Sequence, residues 1–259
     1  MDHQDTSSSV AGDDYQKNFQ AEDYRTQNYT EILAEDRFFI ECTTQSTLFS
    51  ELGIQPQTFT NAIDVGNAGT MIAPGILAPF MKDNGEIILA DVGYRQMHLI
   101  AKTIKKGRRG HLGIWQKFED LMAQNPFWKD AIQRACKLSK PQDLSVFDLE
   151  PNSVDAGAMC YVAESITDSK QEFETIASTF LEAIRPGGLV IWSGIIGSQG
   201  YDSAGDMFRA HWIEPQDMLD VADDQLRNIH LLYRSSSDGA RAHTGPRYSG
   251  MALLVGIKR

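Results

Sequence analysis

Residues 62–70, AIDVGNAGT, end an apolar run at an acidic residue and then turn through small residues. A buried strand of a parallel sheet delivers its backbone to a ligand in this way, because small residues let peptide N–H groups come close. A second apolar run, residues 87–90, ends at Asp91, which follows Gly69 by 22 residues. In a nucleotide-binding βαβ unit this distance separates the glycine-rich turn from the ribose-binding carboxylate. The spacing therefore predicts a site for a nucleotide-like ligand.

From residue 60 onward, apolar runs of strand length alternate with segments of helical periodicity. This alternation predicts an α/β fold, with a mostly parallel sheet covered on both faces. The predicted strands are residues 60–65, 86–91, 144–147, 156–162, 189–193, 229–234 and 250–257. The predicted helices are residues 94–105, 118–138 with a break near Pro126, 171–184 and 217–225, and a helix after residue 70 that Pro74, Gly75 and Pro79 should shorten.

The N-terminal part divides into a polar tail and a helical region. Residues 1–14 are polar and acidic, and we expect them to be disordered. Apolar residues at helical spacing between residues 15 and 53 predict two or three helices. We therefore expect a single domain over residues 15–259, with a helical cap over residues 15–55.

Composition narrows the function classes. The 259-residue chain has 24 Lys and Arg against 35 Asp and Glu, a net charge of −11, which argues against nucleic-acid and anionic membrane partners. The basic run of residues 102–109 reads as the exposed end of a helix. The chain has three cysteines, Cys42, Cys136 and Cys160, whose spacing does not fit a set of metal ligands. We therefore expect no metal and a reduced, cytoplasmic protein. The composition leaves the oligomeric state open.

Three strand ends carry the predicted chemistry. Gly66, Ala68 and Gly69 offer a tight turn, Asp91 is an acceptor for two ribose hydroxyls, and Asp148 is placed to meet an adenine amino group. Either aspartate, seen alone, also fits a helix N-cap. Their order along the chain, followed by the RPGG turn at residues 185–188 before an apolar strand, favours cofactor binding.

In these landmarks the chain resembles class I S-adenosylmethionine-dependent methyltransferases, and among them the nicotinamide, phenylethanolamine and thioether methyltransferase family. That family has D-[IV]-G-S-G-P-T where this chain has residues 64–70, DVGNAGT, so that alanine replaces the second glycine. Its upstream D-Y-x-x-x-Y-Y segment is matched in part by Asp23, Tyr24 and Tyr29. The resemblance implies a Rossmann-like, seven-stranded sheet with an antiparallel last strand and an N-terminal helical lid. S-Adenosylmethionine is the implied cofactor.

The resemblance also implies roles for individual residues. Tyr24 and Tyr29 would close over the methionine end of the cofactor, although without the resemblance they read as ordinary, partly buried helix aromatics. Gln96 would add a polar contact beside Asp91. The implied cofactor-binding residues are Tyr24, Tyr29, Asp64, Gly66, Asn67, Ala68, Thr70, Asp91, Gln96, Asp148 and Leu149.

The acceptor side is less sharply defined. Residues 160–168, CYVAESITD, stand where the family has a C-L-[DE] segment whose carboxylate meets the substrate amine, which points to Glu164. Glu164 would anchor a cationic amine or accept its proton, and it reads equally well as an exposed residue or a helix cap. His211 is a second catalytic candidate, although a lone histidine is more often structural. The family tends to have a carboxylate after the fifth strand, where this chain has Ser193.

We therefore expect methyl transfer to a small-molecule acceptor, an amine or a ring nitrogen. An oxygen or sulfur methyltransferase of a natural-product pathway and a non-catalytic S-adenosylmethionine-binding protein remain alternatives. The AGT turn of residues 68–70 argues against a nicotinamide-dependent oxidoreductase, which usually needs a fuller G-x-G-x-x-G.

Overall fold

The computed structural model describes residues 20–44, 47–198, 200–203, 206–236 and 248–259. The expected disordered tail, residues 1–14, lies outside this part of the chain. Three helices occupy the N-terminal region: α1 (Ala21–Tyr29), α2 (Ala34–Thr44) and α3 (Leu48–Glu51). Across the described ranges, no helix combines the length and apolar character that crossing a membrane requires.

A seven-stranded sheet forms the centre of the fold, as the sequence predicts. Its strands are β1 (Phe59–Val65), β2 (Met81–Asp91), β3 (Ser139–Asp143), β4 (Val154–Cys160), β5 (Ile184–Ile196), β8 (Leu226–Ser235) and β9 (Gly250–Lys258), while β6 (Gly200–Ser203) and β7 (Asp206–Arg209) pair in a separate sheet. The order is β3-β2-β1-β4-β5-β9-β8, and β9 runs antiparallel to β5 and β8 while the other neighbouring pairs are parallel. The last strand is therefore the antiparallel one, and it lies inside the sheet between two strands.

Helices cover both faces of the sheet. Because neighbouring residues of a strand point to opposite faces, one strand contributes side chains to two cores. On β1, Ala62 packs into one core with α2, while Ile63 and Val65 pack into a second core. The first core also receives α4 (Ile72–Leu77), α5 (Tyr94–Gly107), α6 (Gln116–Met122) and α7 (Ala131–Leu138). The second receives α8 (Lys170–Ala183) and α9 (Pro215–Ala222).

Prolines set the helix boundaries much as expected. The helix after the glycine-rich turn, α4, has six residues, and Pro74 lies in its first turn, where a missing N–H costs little. The segment predicted as a broken helix over residues 118–138 forms α6 and α7, separated by the 3₁₀ turn Pro126–Trp128. Gly75 allows close helix packing, since a Cβ there would lie 3.0 Å from Ile132 Cγ1.

The prediction for the third strand is wrong. The apolar residues 144–147 do not form it; β3 is Ser139–Asp143, and Val146–Asp148 forms a 3₁₀ turn. Strand β3 lies at the sheet edge with four of its five residues exposed, so it carries no apolar pattern. An edge strand also tolerates Pro141, which lacks a donor.

A small hairpin follows β5, where the sequence predicts no strands. It consists of β6 (Gly200–Ser203) and β7 (Asp206–Arg209), paired antiparallel in a separate two-stranded sheet. The rings of Tyr201 and Phe208 stack across it with centroids 5.3 Å apart. The hairpin places Tyr201 against Tyr24 of α1, with ring centroids 6.4 Å apart.

The RPGG turn lies at the amino edge of the sheet. The Arg185 guanidinium donates to the carbonyl oxygens of Asn152 and Ser153, both at 2.9 Å, and to Asp155 Oδ1 at 2.8 Å. Gly188 lies so close to Asp155 that a Cβ would come 2.5 Å from its carbonyl oxygen. This landmark therefore serves the fold, at the edge opposite the predicted site.

Candidate functional site

The loop after β1 depends on backbone conformations that side chains resist. Gly66 and Gly69 have φ values of 67° and 78°. A Cβ on Gly66 would lie 2.4 Å from Val162 Cγ2, and one on Gly69 would lie 2.9 Å from Leu99 Cδ2. Both glycines are therefore required by this loop as it is built.

Two loop positions depart from the family pattern in ways that the backbone explains. Ala68 has a φ of 48°, the left-handed region that glycine adopts without cost. This is the position of the family's second glycine. Gly69 stands where the family has proline, and its φ of 78° is closed to proline, whose ring holds φ near −65°.

Asn67 ties the loop together from within. Its Nδ2 donates to Asp64 Oδ2 at 2.5 Å and to the Thr70 carbonyl oxygen at 2.9 Å, while its Oδ1 accepts the Gly69 N–H at 3.0 Å. Asp64 is buried, and that burial raises its pKa to about 7, with Asp91 adding to the rise and Asn67 opposing it. The side chains of Asp64 and Asn67 thus shape the loop.

Asp91 links the end of β2 to the same loop. One carboxylate oxygen accepts the Ala68 N–H at 2.5 Å, and the other accepts the Val92 N–H at 2.7 Å. Burial raises its pKa to about 6. The N-cap of α5 is Gly93, so Asp91 is not the N-cap residue of that helix. Each of its oxygens keeps a lone pair for a hydroxyl donor.

Gln96 lies in the first turn of α5 and is buried, yet neither atom of its side-chain amide has a hydrogen-bond partner. Leaving such a group unpaired costs about 1–3 kcal/mol, so buried amides are nearly always satisfied. Its Oε1 would lie 2.9 Å from a Cβ on Gly93, so it sits directly beside the turn after Asp91. A polar ligand at this edge would supply the missing partners.

Asp148 and Leu149 do not end a strand. Asp148 is exposed on the 3₁₀ turn, and its N–H donates to the Ser145 carbonyl oxygen at 3.1 Å. Leu149 is buried in the same core as Ile63 and Val65. The residue at the end of β3 is Asp143, which pairs in register with Asp91.

The predicted tyrosines lie together above the sheet. The rings of Tyr24 and Tyr29 are 6.3 Å apart, and Tyr29 packs against Trp115 at 5.2 Å. Burial raises the pKa of Tyr24 to about 12, with further contributions from Asp36, Glu35 and Glu164. Burial also raises the pKa of Tyr29, and Tyr24, Asp36 and Tyr161 add to it.

Glu164 is fully buried, which excludes the interpretation of an exposed residue. Its Oε1 accepts the Ile195 N–H at 2.8 Å, whereas Oε2 has no hydrogen-bond partner. Burial raises its pKa to about 7. Glu164 therefore combines one anchored oxygen with one that is free to meet a ligand.

His211 contacts Glu164 through its backbone. Its backbone N–H donates to the Glu164 carbonyl oxygen at 2.8 Å, and its ring packs against Phe173 of α8 with centroids 5.8 Å apart. Phe173 in turn contacts Trp192 in the second core. These contacts direct the ring toward α8.

Sequence reasoning missed Asp36 and Tyr161. Asp36 is buried on α2, and one of its oxygens lacks a partner. In the sequence it looks like an acidic residue that favours the start of a helix. Tyr161 has a φ of 60°, and its hydroxyl donates to the Glu35 carbonyl oxygen at 3.3 Å. No pattern in the sequence marks it.

Within the described ranges, no group of three or more His, Cys, Asp and Glu side chains could hold a metal ion. The site is thus an assembly of carboxylates, amides and tyrosines at the carboxyl edge of the parallel strands. Ligands of open α/β sheets bind at this edge.

No protein-family model and no curated protein sequence matches the chain. Among solved structures, it is similar to a carbon methyltransferase, CurJ, with a TM-score of 0.55 at 14% identity over 94% of this chain and 60% of that one. It is also similar to the N-methyltransferase NodS from Bradyrhizobium japonicum WM9 in complex with S-adenosyl-L-homocysteine, with a TM-score of 0.51 at 12% identity over 91% of this chain and 98% of that one.

A third similar structure is the [4+2]-cyclase SpnF, with a TM-score of 0.52 at 13% identity over 86% of this chain and 81% of that one. At these identities the likeness concerns the fold. The chain has the Rossmann-like fold of S-adenosylmethionine-dependent methyltransferases.

Proposed function

We propose that this protein binds S-adenosylmethionine at the carboxyl edge of the sheet and transfers its methyl group to a small-molecule acceptor, an amine or a ring nitrogen. The observation that carries the proposal is the buried edge formed by the Gly66–Thr70 loop, Asp91 and Gln96, whose side-chain amide lacks partners. NodS, which shares the fold, is an N-methyltransferase with S-adenosylhomocysteine bound.

The residues fit the cofactor's parts. Asp91 would accept from the ribose hydroxyls, Gln96 would pair with a polar group beside it, and the loop would hold the amino-acid end. Tyr24 and Tyr29 of α1 would cover that end, and Asp148 and Leu149 would border the adenine. When bound, the cofactor supplies an electrophilic methyl group attached to a sulfonium.

The chain's part in the reaction is to position the acceptor and manage its proton. Since the electrophile is already strong, alignment and exclusion of water supply most of the rate. Tyr24 and Tyr29, which are half-buried, would limit access of water. Glu164 Oε2 would bind the ammonium form of the acceptor, or take the proton that an amine nitrogen loses when its N–CH₃ bond forms and the S–CH₃ bond breaks, with S-adenosylhomocysteine as the leaving group.

Calorimetric titration tests the cofactor. We expect S-adenosylmethionine and S-adenosylhomocysteine each to bind once per chain, and NAD not to bind. Saturable binding of NAD with no signal from either sulfur compound would overturn the proposal.

Turnover separates an enzyme from a binding protein, and amine from oxygen or sulfur acceptors. S-Adenosylhomocysteine formation is measured with matched amines, phenols and thiols. The proposal requires the amines to be methylated. With Glu164→Gln, amine turnover should fall while S-adenosylmethionine affinity stays nearly constant, and wild-type turnover by this variant would remove Glu164 from the mechanism.

A further inference from the structure

Asp36 is a buried carboxylate whose second oxygen is unused. It lies in the first turn of α2 and is 6% exposed. The backbone N–H of Leu33 acts on this carboxyl in the direction that lowers its pKa, against the effect of burial. Its Oδ2 has no hydrogen-bond partner among the described residues. The protein therefore buries this carboxylate without supplying a donor to Oδ2.

No cation of the described residues neutralises Asp36. Its neighbour Arg37 pairs with Glu41 at 3.4 Å, and Arg25 Nη1 contacts Thr103 Oγ1 at 3.4 Å. Burying a carboxylate oxygen without a donor lowers the stability of the ligand-free protein.

The surroundings of Asp36 are aromatic. The hydroxyl of Tyr161 donates to the carbonyl oxygen of Glu35, the residue before Asp36, at 3.3 Å. This contact places the start of α2 over the end of β4. Burial raises the pKa of Tyr161, and Asp36 adds to the rise. Together with Tyr24, Tyr29 and Tyr201, Tyr161 forms what we call the tyrosine wall.

Glu164 faces the same wall. The charges of Asp36 and Glu164 both raise the pKa of Tyr24 and that of Cys160, so both carboxylates lie near the tyrosine wall. Each contributes one buried oxygen without a partner, Oδ2 of Asp36 and Oε2 of Glu164. The two side chains lie in different parts of the chain, and each has a buried oxygen without a hydrogen-bond donor.

We propose that Asp36 is a binding residue for the acceptor, and that it holds a positively charged group of the substrate against the tyrosine wall. This inference rests on the proposed function and deepens it, since it makes the acceptor a cation recognised by the N-terminal cap. An ammonium group would donate to Oδ2 and replace the missing solvation. Tyrosine faces add attraction for a cation. Glu164 would then meet the reacting nitrogen.

The test measures charge selectivity with and without Asp36. Protein saturated with S-adenosylhomocysteine is titrated with a panel of arylalkyl and alkyl amines and, for each, the alcohol of the same shape, such as benzylamine and benzyl alcohol. We expect at least one amine to bind about tenfold or more tightly than its alcohol. Asp36→Asn keeps the size of the side chain and one carbonyl oxygen but removes the charge, so it should lower this ratio about tenfold and leave S-adenosylhomocysteine affinity within about twofold.

Glu41→Gln is the matched control, since it removes one charge from the outer part of the same helix, where Arg37 and Arg234 pair with it. It should leave the selectivity ratio unchanged. In the absence of ligands, Asp36→Asn should melt at the wild-type temperature or above it, because an unpaired buried charge is removed.

Two results would overturn the inference: no amine of the panel preferred over its alcohol by the wild type, or the same preference retained by Asp36→Asn. A melting temperature of Asp36→Asn several degrees below wild type would show that Asp36 is structural. The proposed function fails separately, if S-adenosylhomocysteine itself does not bind. The titrations are therefore repeated without it, so that loss of one proposal is not read as loss of the other.

Discussion

The two edges of the central sheet differ in how their carboxylates are paired. At the amino edge, Asp155 Oδ2 accepts the N–H groups of Thr60 and Asn61 at 2.8 and 3.0 Å, and Oδ1 accepts from Arg185. Burial by itself raises the pKa of Asp155, but these N–H groups and the Arg185 charge together hold it below its usual value. Both oxygens of this carboxylate therefore accept hydrogen bonds from the protein itself.

At the carboxyl edge, the carboxylates are buried, and no Lys or Arg side chain in the described part of the chain pairs with them. Burial raises the pKa values of Asp64, Asp91 and Glu164, and it raises that of Asp36 as well. Oxygens of Asp36 and Glu164 and the amide of Gln96 lack partners. Proteins keep such costly groups where a ligand completes them. The contrast separates residues that serve the fold from residues that serve a ligand.

The strongest test of the contrast is Asp91→Ala. It removes the acceptor for ribose hydroxyls and also frees the Ala68 N–H, so S-adenosylhomocysteine affinity should fall about tenfold to a hundredfold, as expected for hydrogen bonds to a charged group worth about 1.5–3 kcal/mol. Calorimetric titration measures this. Asp143→Ala removes the exposed carboxylate paired with it in register and should have little effect. Equal losses of binding and stability would make Asp91 a purely structural residue.

At the opposite edge, Asp155→Ala should do the reverse. Two backbone N–H groups and Arg185 lose their acceptor, so the free energy of unfolding should drop by about 2 kcal/mol. Because the site lies at the other end of the strands, S-adenosylhomocysteine affinity should not change. Urea denaturation and titration of the same preparation decide it. A weakened affinity without loss of stability would contradict the assignment of this edge.

The pH dependence of stability should follow the carboxyl edge. For Asp64, Asp91 and Glu164, the folded pKa values, about 7, 6 and 7, lie above the ordinary values of 3.8, 3.8 and 4.5. The folded state then binds more protons, so their stabilisation is complete below about pH 4 and is lost as pH rises to about 7. The ligand-free protein should melt lower at pH 8 than at pH 5, at equal ionic strength. Glu164→Gln should reduce the difference, and an unchanged difference would contradict the raised pKa of Glu164.

The smallest expected effect concerns Ala68→Gly. At a φ of 48° the methyl group is strained, so glycine should raise the free energy of unfolding by about 0.5–1 kcal/mol, reduced by the greater freedom of glycine in the unfolded chain. Gly66→Ala is the contrasting variant, since its Cβ would lie 2.4 Å from Val162 Cγ2 and should destabilise the loop. Thermal melting of both variants measures the pair. A destabilised Ala68→Gly would show that the loop tolerates its alanine without strain.

Much of the fold could be predicted from the sequence, because buried parallel strands are continuous apolar runs and each is followed by helical periodicity. The strands β1, β2 and β4 follow this rule, whereas β5 and β9 are marked by their apolar runs alone. Strand β3 has no such mark, since an edge strand with exposed residues needs no apolar pattern, and the more apolar residues 144–147 beside it do not form a strand. The hairpin β6–β7 is equally short and weakly patterned.

The candidate site likewise contains residues that the sequence predicts and residues that only the structure reveals. The sequence by itself determined the Gly66–Thr70 turn and Asp91, because a turn and a strand end are local features with fixed spacing. Only the tertiary structure decided that Asp36 is buried, that Tyr161 donates to the carbonyl oxygen of the residue before it and that Glu164 keeps one oxygen without a partner among the described residues. Burial and hydrogen-bond partners depend on which distant segments pack together. A residue that looks like an ordinary helix-start acid in the sequence becomes an unpaired buried carboxylate only when α2 closes over the end of β4.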